Sequence, residues 1–202
     1  MLRILVIGLV LLVGAMMLLP RPQAPLPEVA SVFTEPRSLP EIALTDAAER
    51  PFSLENFRGV YTLMFFGFTH CTDICPPTLL MLADVRKRLN NATPPEVLFV
   101  SVDPNRDTPS VIADYLEFFD ADFQGVTGSD EALAPWIEGL GITVHKTEQN
   151  GEYYNMVHNG TLFVIGPQAQ LLAVFGGSAH QAETVASDFL RIRASAGGLP
   201  NP

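Results

Sequence analysis

The chain holds two cysteines, four positions apart, in Phe65-Phe66-Gly67-Phe68-Thr69-His70-Cys71-Thr72-Asp73-Ile74-Cys75-Pro76-Pro77. Three chemistries use such a pair. The thiols could brace a turn, either buried or as a disulfide. They could cycle between dithiol and disulfide, although the thioredoxin-type motif has two residues between its cysteines and this one has three. Or they could hold a soft metal ion. Two thiolates leave most metals short of ligands, so that reading needs another donor from elsewhere in the chain. Two cysteines among 202 residues are too few for a disulfide framework. The pair is therefore read as serving chemistry rather than bracing.

The flanking residues place the pair on a strand-to-helix turn. Val60 to Phe66 is apolar and aromatic, as a buried strand is. Pro76 and Pro77 open a segment with helical spacing from Thr78 to Leu89, and proline suits a first helical turn because its missing N–H would be unpaired there. Cys75 thus falls at or just before the helix start. The positive end of the helix dipole is expected to lower a thiol pKa at that position.

Composition narrows the function classes. A net charge of −10 leaves no basic face for general nucleic-acid binding. Apolar residues make up 48% of the chain, ample for one core, and 17 prolines imply many loops. Ile4 to Leu19 is uncharged and apolar, preceded by Arg3 and followed by Pro20-Arg21-Pro22. As a helix it would span roughly 24 Å at about 1.5 Å per residue, against a hydrocarbon core of about 30 Å, and flanking arginines can snorkel to close the gap. No small-x-small cleavage site follows Leu19, so residues 1–20 read as an uncleaved membrane anchor rather than a signal peptide. Arg3 points the N-terminus to the cytoplasm and the domain to the other side of a cytoplasmic membrane, the periplasm or its equivalent. Residues 21–40 are proline-rich and read as a semi-extended spacer that packs as neither helix nor sheet.

The globular domain is expected over residues 41–193, with a flexible tail at 194–202. A short hairpin spans Ile42 to Phe57. Val97 to Val102 is a second buried strand, apolar on both faces like a covered parallel strand. Asp103-Pro104-Asn105-Arg106-Asp107-Thr108-Pro109 follows it as a capping loop, with Thr108 as N-cap and Pro109 at the first position of a helix running to about Phe119. The loop could also shape a site or dock a partner. A helix over Asp130–Leu140, a short strand at Ile142–Val144, a hairpin of Thr161–Ile165 with Gln170–Phe175, and a helix over Gln181–Arg193 complete the domain. That order is the thioredoxin type: an α/β fold with a central mixed sheet flanked by helices. The loop before its final hairpin lies against the first strand-to-helix turn. Of the four histidines, His70 adjoins Cys71 and is expected to point elsewhere, while His145 and His180 read as surface residues. His158 lies in Tyr154-Asn155-Met156-Val157-His158-Asn159-Gly160, just before the hairpin. It is the one histidine this topology carries to the sulfurs.

From Leu39 to Arg193 the chain resembles the Sco/SenC family of thioredoxin-like copper-binding proteins that assist cytochrome c oxidase assembly. The residues that carry the resemblance are Phe66-Gly67-Phe68-Thr69-His70-Cys71 with Cys75-Pro76, Ser101-Val102-Asp103-Pro104 with Arg106-Asp107-Thr108-Pro109, and the late histidine. The resemblance implies copper held by Cys71, Cys75 and His158. It also implies a carrier rather than an enzyme, with an oxidase subunit or another copper chaperone as partner. This chain departs from the family at Thr72, where a proline is usual, and at Val157 and Asn159, where an aspartate and a serine usually flank the histidine. Two thiolates and an imidazole suit Cu(I), which tolerates low coordination. Two other functions use the same cysteines. A thiol–disulfide reductase that keeps a partner's cysteines reduced for copper loading would not need His158. A peroxidase of the peroxiredoxin kind would want threonine where Phe68 stands.

Overall fold

The middle of the sheet is buried on both faces, and helical crossovers make three of its strands run parallel. The computed structural model describes residues 25–90, 94–149, 153–158, 160–177 and 180–196, with the backbone alone over 147–149 and 153–158. Strand β1 (Ser31–Ser38) is followed by β2 (Leu44–Asp46), β3 (Pro51–Phe52), a 3₁₀ turn at Leu54–Phe57 and β4 (Thr62–Gly67). Helix α1 (Cys75–Arg88), β5 (Glu96–Ser101), α2 (Pro109–Glu117), β6 (Gln124–Thr127) and α3 (Asp130–Gly139) come next. The chain continues through β7 (Val144–Gln149), β8 (Tyr153–His158), β9 (Leu162–Gly166), β10 (Gln170–Phe175) and α4 (Ala182–Ala196). Eight strands form one sheet in the order β1-β10-β9-β4-β5-β6-β2-β3. Strands β4, β5 and β6 are parallel, and the others join antiparallel.

Alternate residues of β4 feed two cores, as the pleat requires. Leu63 and Phe65 pack with Val97 and Phe99 under α1, α2 and α4, through Leu79, Leu82, Ile112, Val185 and Phe189. Met64 and Phe66 pack on the opposite face with Leu98, Val100, Phe57 and the α3 residues Leu133 and Trp136. The expected mixed sheet between helices is the observed one, with the two cysteines at the junction of β4 and α1.

Three expectations are corrected. Residues 31–38 are no spacer, because β1 pairs with β10 at the sheet's edge. Proline is tolerated on an edge strand, and Pro36 lies where the pairing shifts between Val32 and Arg37. The segment before β1 is also held. Asp188 of α4, sealed from solvent, accepts from the amides of Glu28, Val29 and Ala30 at 2.6, 2.8 and 3.0 Å. The strand expected at Ile142–Val144 starts at Val144 and pairs with β8 alone, as a separate two-stranded sheet. His158 is therefore the last residue of a strand rather than part of a loop. The proposed anchor at Ile4–Leu19 lies outside the described residues. Among those that are described, no helix is long and apolar enough to cross a membrane.

Candidate metal centre

The two thiols meet where β4 ends. Past Gly67 the chain makes a tight turn, closed by the Cys71 amide donating to the Phe68 carbonyl at 3.1 Å. Helix α1 then begins at Cys75, with Ile74 as its N-cap and Pro76 and Pro77 in the first turn. The Thr78 amide and hydroxyl both donate to the Ile74 carbonyl, at 3.2 and 2.7 Å, and so close that turn. These two turns bring the cysteines together: the Cys75 amide donates to Cys71 Sγ at 3.4 Å. Both are thiols, not joined by a disulfide. Cys71 is 8% exposed and Cys75 is 0%. The cysteines are thus more enclosed than a pair on an open loop.

Gly67 makes room for the inner sulfur. A Cβ on it would stand 2.9 Å from Cys75 Sγ and 2.6 Å from the Phe99 ring, so only glycine lets the strand pass this close. The position sits in register with Ser101 on β5.

The expectation that the helix start lowers the Cys75 thiol pKa does not hold. The hydrogen bond with Cys71, and then burial, push the Cys75 thiol well above its ordinary range. In the absence of a cation the Cys75 thiol keeps its proton. A helix N-terminus favours a thiolate by about a kcal/mol, which cannot offset taking the charge out of water.

A carboxylate supports the cysteine turn from the loop that follows β5. Asp107, 0% exposed, accepts at Oδ1 from the Thr69 hydroxyl at 2.6 Å, and at Oδ2 from the Thr69 amide at 2.9 Å and the Ser101 hydroxyl at 2.6 Å. The Asp107 amide donates to the Asp103 carbonyl at 2.9 Å. The Asp103 carboxylate pairs with Arg106, whose guanidinium lies 5.9 Å from the Phe68 ring centroid. Thr108 caps α2 as expected, accepting from the Val111 amide at 3.4 Å. The loop from Asp103 to Pro109 therefore both caps a helix and shapes the cysteine turn.

The histidines fall in different places. His70 is exposed, its Nδ1 3.1 Å from Thr69 Oγ1 and 3.9 Å from Asp107 Oδ1. His145 is exposed on β7, opposite Val157. His180 is half-buried, its Nε2 3.1 Å from the Gly177 carbonyl oxygen and its ring 5.7 Å from that of Phe175. His158 ends β8 opposite Val144, and its side chain is outside the described atoms. Among the described residues, no group of three or more His, Cys, Asp or Glu could hold a metal ion. The structure thus brings Cys71 and Cys75 together, and locates His158 by its backbone alone. The sequence reading named neither Thr69 nor Asp107 as a site residue. The available signal was that their loops leave the ends of neighbouring parallel strands, where βα turns converge.

The donor set fits a soft cation: two cysteines joined by hydrogen bonds, at a helix start, in an apolar wall. The SCO1/SenC family model matches residues 35–193. A protein of Stutzerimonas stutzeri named for copper binding is 37% identical over 142 residues, 67% of each chain. A human mitochondrial SCO1 homolog is 31% identical over 137 residues, 66% of this chain and 46% of its own. The alignment thus spans under half the length of that relative. The crystal structure of Arabidopsis thaliana ScoI with copper bound superposes with a TM-score of 0.72 at 27% identity, covering 76% of this chain and 97% of that one.

Proposed function

This chain belongs to the SCO1/SenC family, and from that premise we propose that it is a copper carrier for the assembly of cytochrome c oxidase. It takes Cu(I) on Cys71, Cys75 and His158 and passes it to a copper-receiving oxidase subunit or to another chaperone. The observation that carries this reading is the 3.4 Å contact between the Cys75 amide and Cys71 Sγ, which sets the outer sulfur against the first residue of α1, where the Cys75 thiol is hydrogen-bonded to it. Relatives named for copper binding and a neighbour crystallised with copper support it.

Copper is cargo here, so the residues must both hold it and release it. Each thiol gives up its proton when a cation binds, and uptake is therefore proton-linked. The high pKa of the Cys75 thiol means that metal, not solvent, stabilises its thiolate. The imidazole of His158 completes a three-donor set, and an incoming ligand can displace it. The protein works from a membrane: Ile4–Leu19 anchors it as a single span, with the domain on the extracytoplasmic side.

The reductase reading uses the same two thiols without His158, and one substitution separates the two. His158→Ala is expected to weaken Cu(I) binding by about a hundredfold or more, since even outer partners of metal ligands are worth 10- to 100-fold, and to stop oxidase assembly at low copper. Titration with Cu(I) and an assembly assay measure both effects. A variant that lacks tight Cu(I) binding yet supports normal assembly at low copper would refute delivery and leave the reductase.

A further inference from the structure

We propose that Asp107 is the positioning residue of the dithiol: acting through Thr69, it holds the turn that aims Cys71 at Cys75. It thereby sets how tightly the pair takes Cu(I) and how readily it is oxidised. This role presupposes the copper reading of Cys71 and Cys75 given above.

The sheet itself cannot do this. The β4–β5 ladder ends at the Gly67–Ser101 pair, followed only by the Val102 amide donating to the Gly67 carbonyl at 2.9 Å. Beyond that point the cysteine turn leaves the sheet. Asp107 continues the connection with its side chain. One oxygen takes the Ser101 hydroxyl and the Thr69 amide, and the other takes the Thr69 hydroxyl. Thr69 is the second residue of the turn that Cys71 closes on Phe68. Fixing its amide and its β-branched side chain together fixes the plane of that turn. The next fixed point is Cys71 Sγ, which receives the Cys75 amide. The tether thus runs from β5 through Asp107 and Thr69 to the outer sulfur, and from there to the start of α1.

Charge alone predicts the opposite outcome. A buried carboxylate close to two thiols disfavours their thiolates, so neutralising it would help a cation bind. A positioning role predicts that neutralising it harms binding. Asparagine in place of Asp107 has nearly the same shape, but it turns an acceptor oxygen into a donor NH₂ facing either the Thr69 amide or one of the two hydroxyls. Thr69→Val cuts one strand of the tether and leaves every charge in place.

The test uses the full-length protein in detergent, as wild type, Asp107→Asn, Thr69→Val and the double variant. Cu(I) affinity is read by competition with a chromophoric chelator. Thiol oxidation is read by equilibration with glutathione, in which the two thiols and one GSSG give the Cys71–Cys75 disulfide and two GSH. Asp107→Asn is expected to weaken Cu(I) binding at least about tenfold, with Thr69→Val lower in the same direction. Both should disfavour the disulfide, because a loosened turn no longer aims Cys71 at Cys75, Asp107→Asn by about tenfold, or about 30 mV for a two-electron couple. The double variant should be no worse than Asp107→Asn, because both changes cut the same tether. Unchanged or tighter Cu(I) binding by Asp107→Asn, with wild-type behaviour of Thr69→Val, overturns the proposal. If Asp107→Asn does not fold, Thr69→Val decides alone: a wild-type potential and affinity overturn it. Wild type that takes up no Cu(I) refutes the copper reading, and the glutathione equilibrium still judges Asp107.

Discussion

Asp107 and Asp188 are both sealed from solvent, and each grips a stretch of backbone outside the sheet, but with different donors. Asp188 takes three consecutive amides, those of Glu28, Val29 and Ala30, together with Arg191 at 3.3 Å. Asp107 takes one amide and two hydroxyls, with the exposed His70 ring 3.9 Å away. A backbone amide points where the chain points and cannot be redirected. A hydroxyl can turn its proton and even accept a bond instead. The first clamp therefore fastens the entry segment to α4 in one arrangement. The second holds the loop that carries Cys71, through donors that can adjust as the loop shifts.

The largest effect that would sharpen this contrast is Asp188→Asn. Hydrogen bonds to a charged acceptor are each worth about 1.5–3 kcal/mol. With partial compensation, a loss on the order of 3 kcal/mol is expected in chemical denaturation, and Cu(I) affinity should not change. Loss of copper binding by a folded Asp188→Asn protein would show the two clamps to be coupled. The same residue gives a pH signature. Burial raises the Asp188 pKa, but the three amides and Arg191 outweigh it and hold the carboxyl below its ordinary 3.8. A depressed folded-state pKa stabilises the fold above the unfolded value, and that stability is lost as pH falls through the folded one. Wild-type and Asp188→Asn stability curves should therefore converge as the pH drops below 3.8.

A smaller, more local effect is expected at Gly67. Alanine there puts a Cβ 2.9 Å from Cys75 Sγ, and overpacking of this kind costs about 1–3 kcal/mol. Its mark should be a changed rate of thiol alkylation, which Asp188→Asn leaves alone. Equal alkylation rates in Gly67→Ala and wild type would mean that the sulfur moves aside freely. The smallest effect is expected for Ser101→Ala, which removes one of three donors to Asp107 and costs about 1.5 kcal/mol, the low end for a bond to a charged acceptor, because the remaining donors can adjust. A thermal melt measures it. A loss as large as that of Asp188→Asn would break the distinction between adjustable and fixed donors.

The strand–turn–helix around the cysteines was legible in the sequence because its signals are local: an apolar run, a glycine, two prolines at a helix start. Thr108 and Pro109 announced α2 in the same way. Edge strand β1 was not, because the proline density over 20–40 marks an absence of regular pairing in most contexts, and only the neighbour β10 makes an edge available. Of the β7–β8 ribbon only a short strand reaching Val144 was legible, because residues 144–158 are largely polar, without the clean alternation a half-buried strand shows. Asp188 did leave a trace. It stands among Val185, Ala186, Phe189 and Ile192, on the apolar face of its own helix, and a charge at such a position asks for a partner. The direction of the Cys75 shift was out of reach, since it depends on which sulfur is deeper. The ligand role of His158 rests on family resemblance, and the fold locates it only by its strand.

The unequal exposure of the two cysteines would give the pair a reaction order in thiol exchange. Cys71 is 8% exposed and Cys75 is 0%, so an incoming disulfide or alkylating reagent meets Cys71 first. Cys75 also holds its proton more tightly than an ordinary thiol, which makes it the poorer attacking group until its neighbour has reacted. A mixed disulfide R–S–S–Cys71 would then be cleared from within: Cys75 attacks Cys71 Sγ, the internal disulfide forms, and RSH leaves with the proton. Were the pair to exchange disulfides, the outer thiol would be the point of capture and the inner one the point of release.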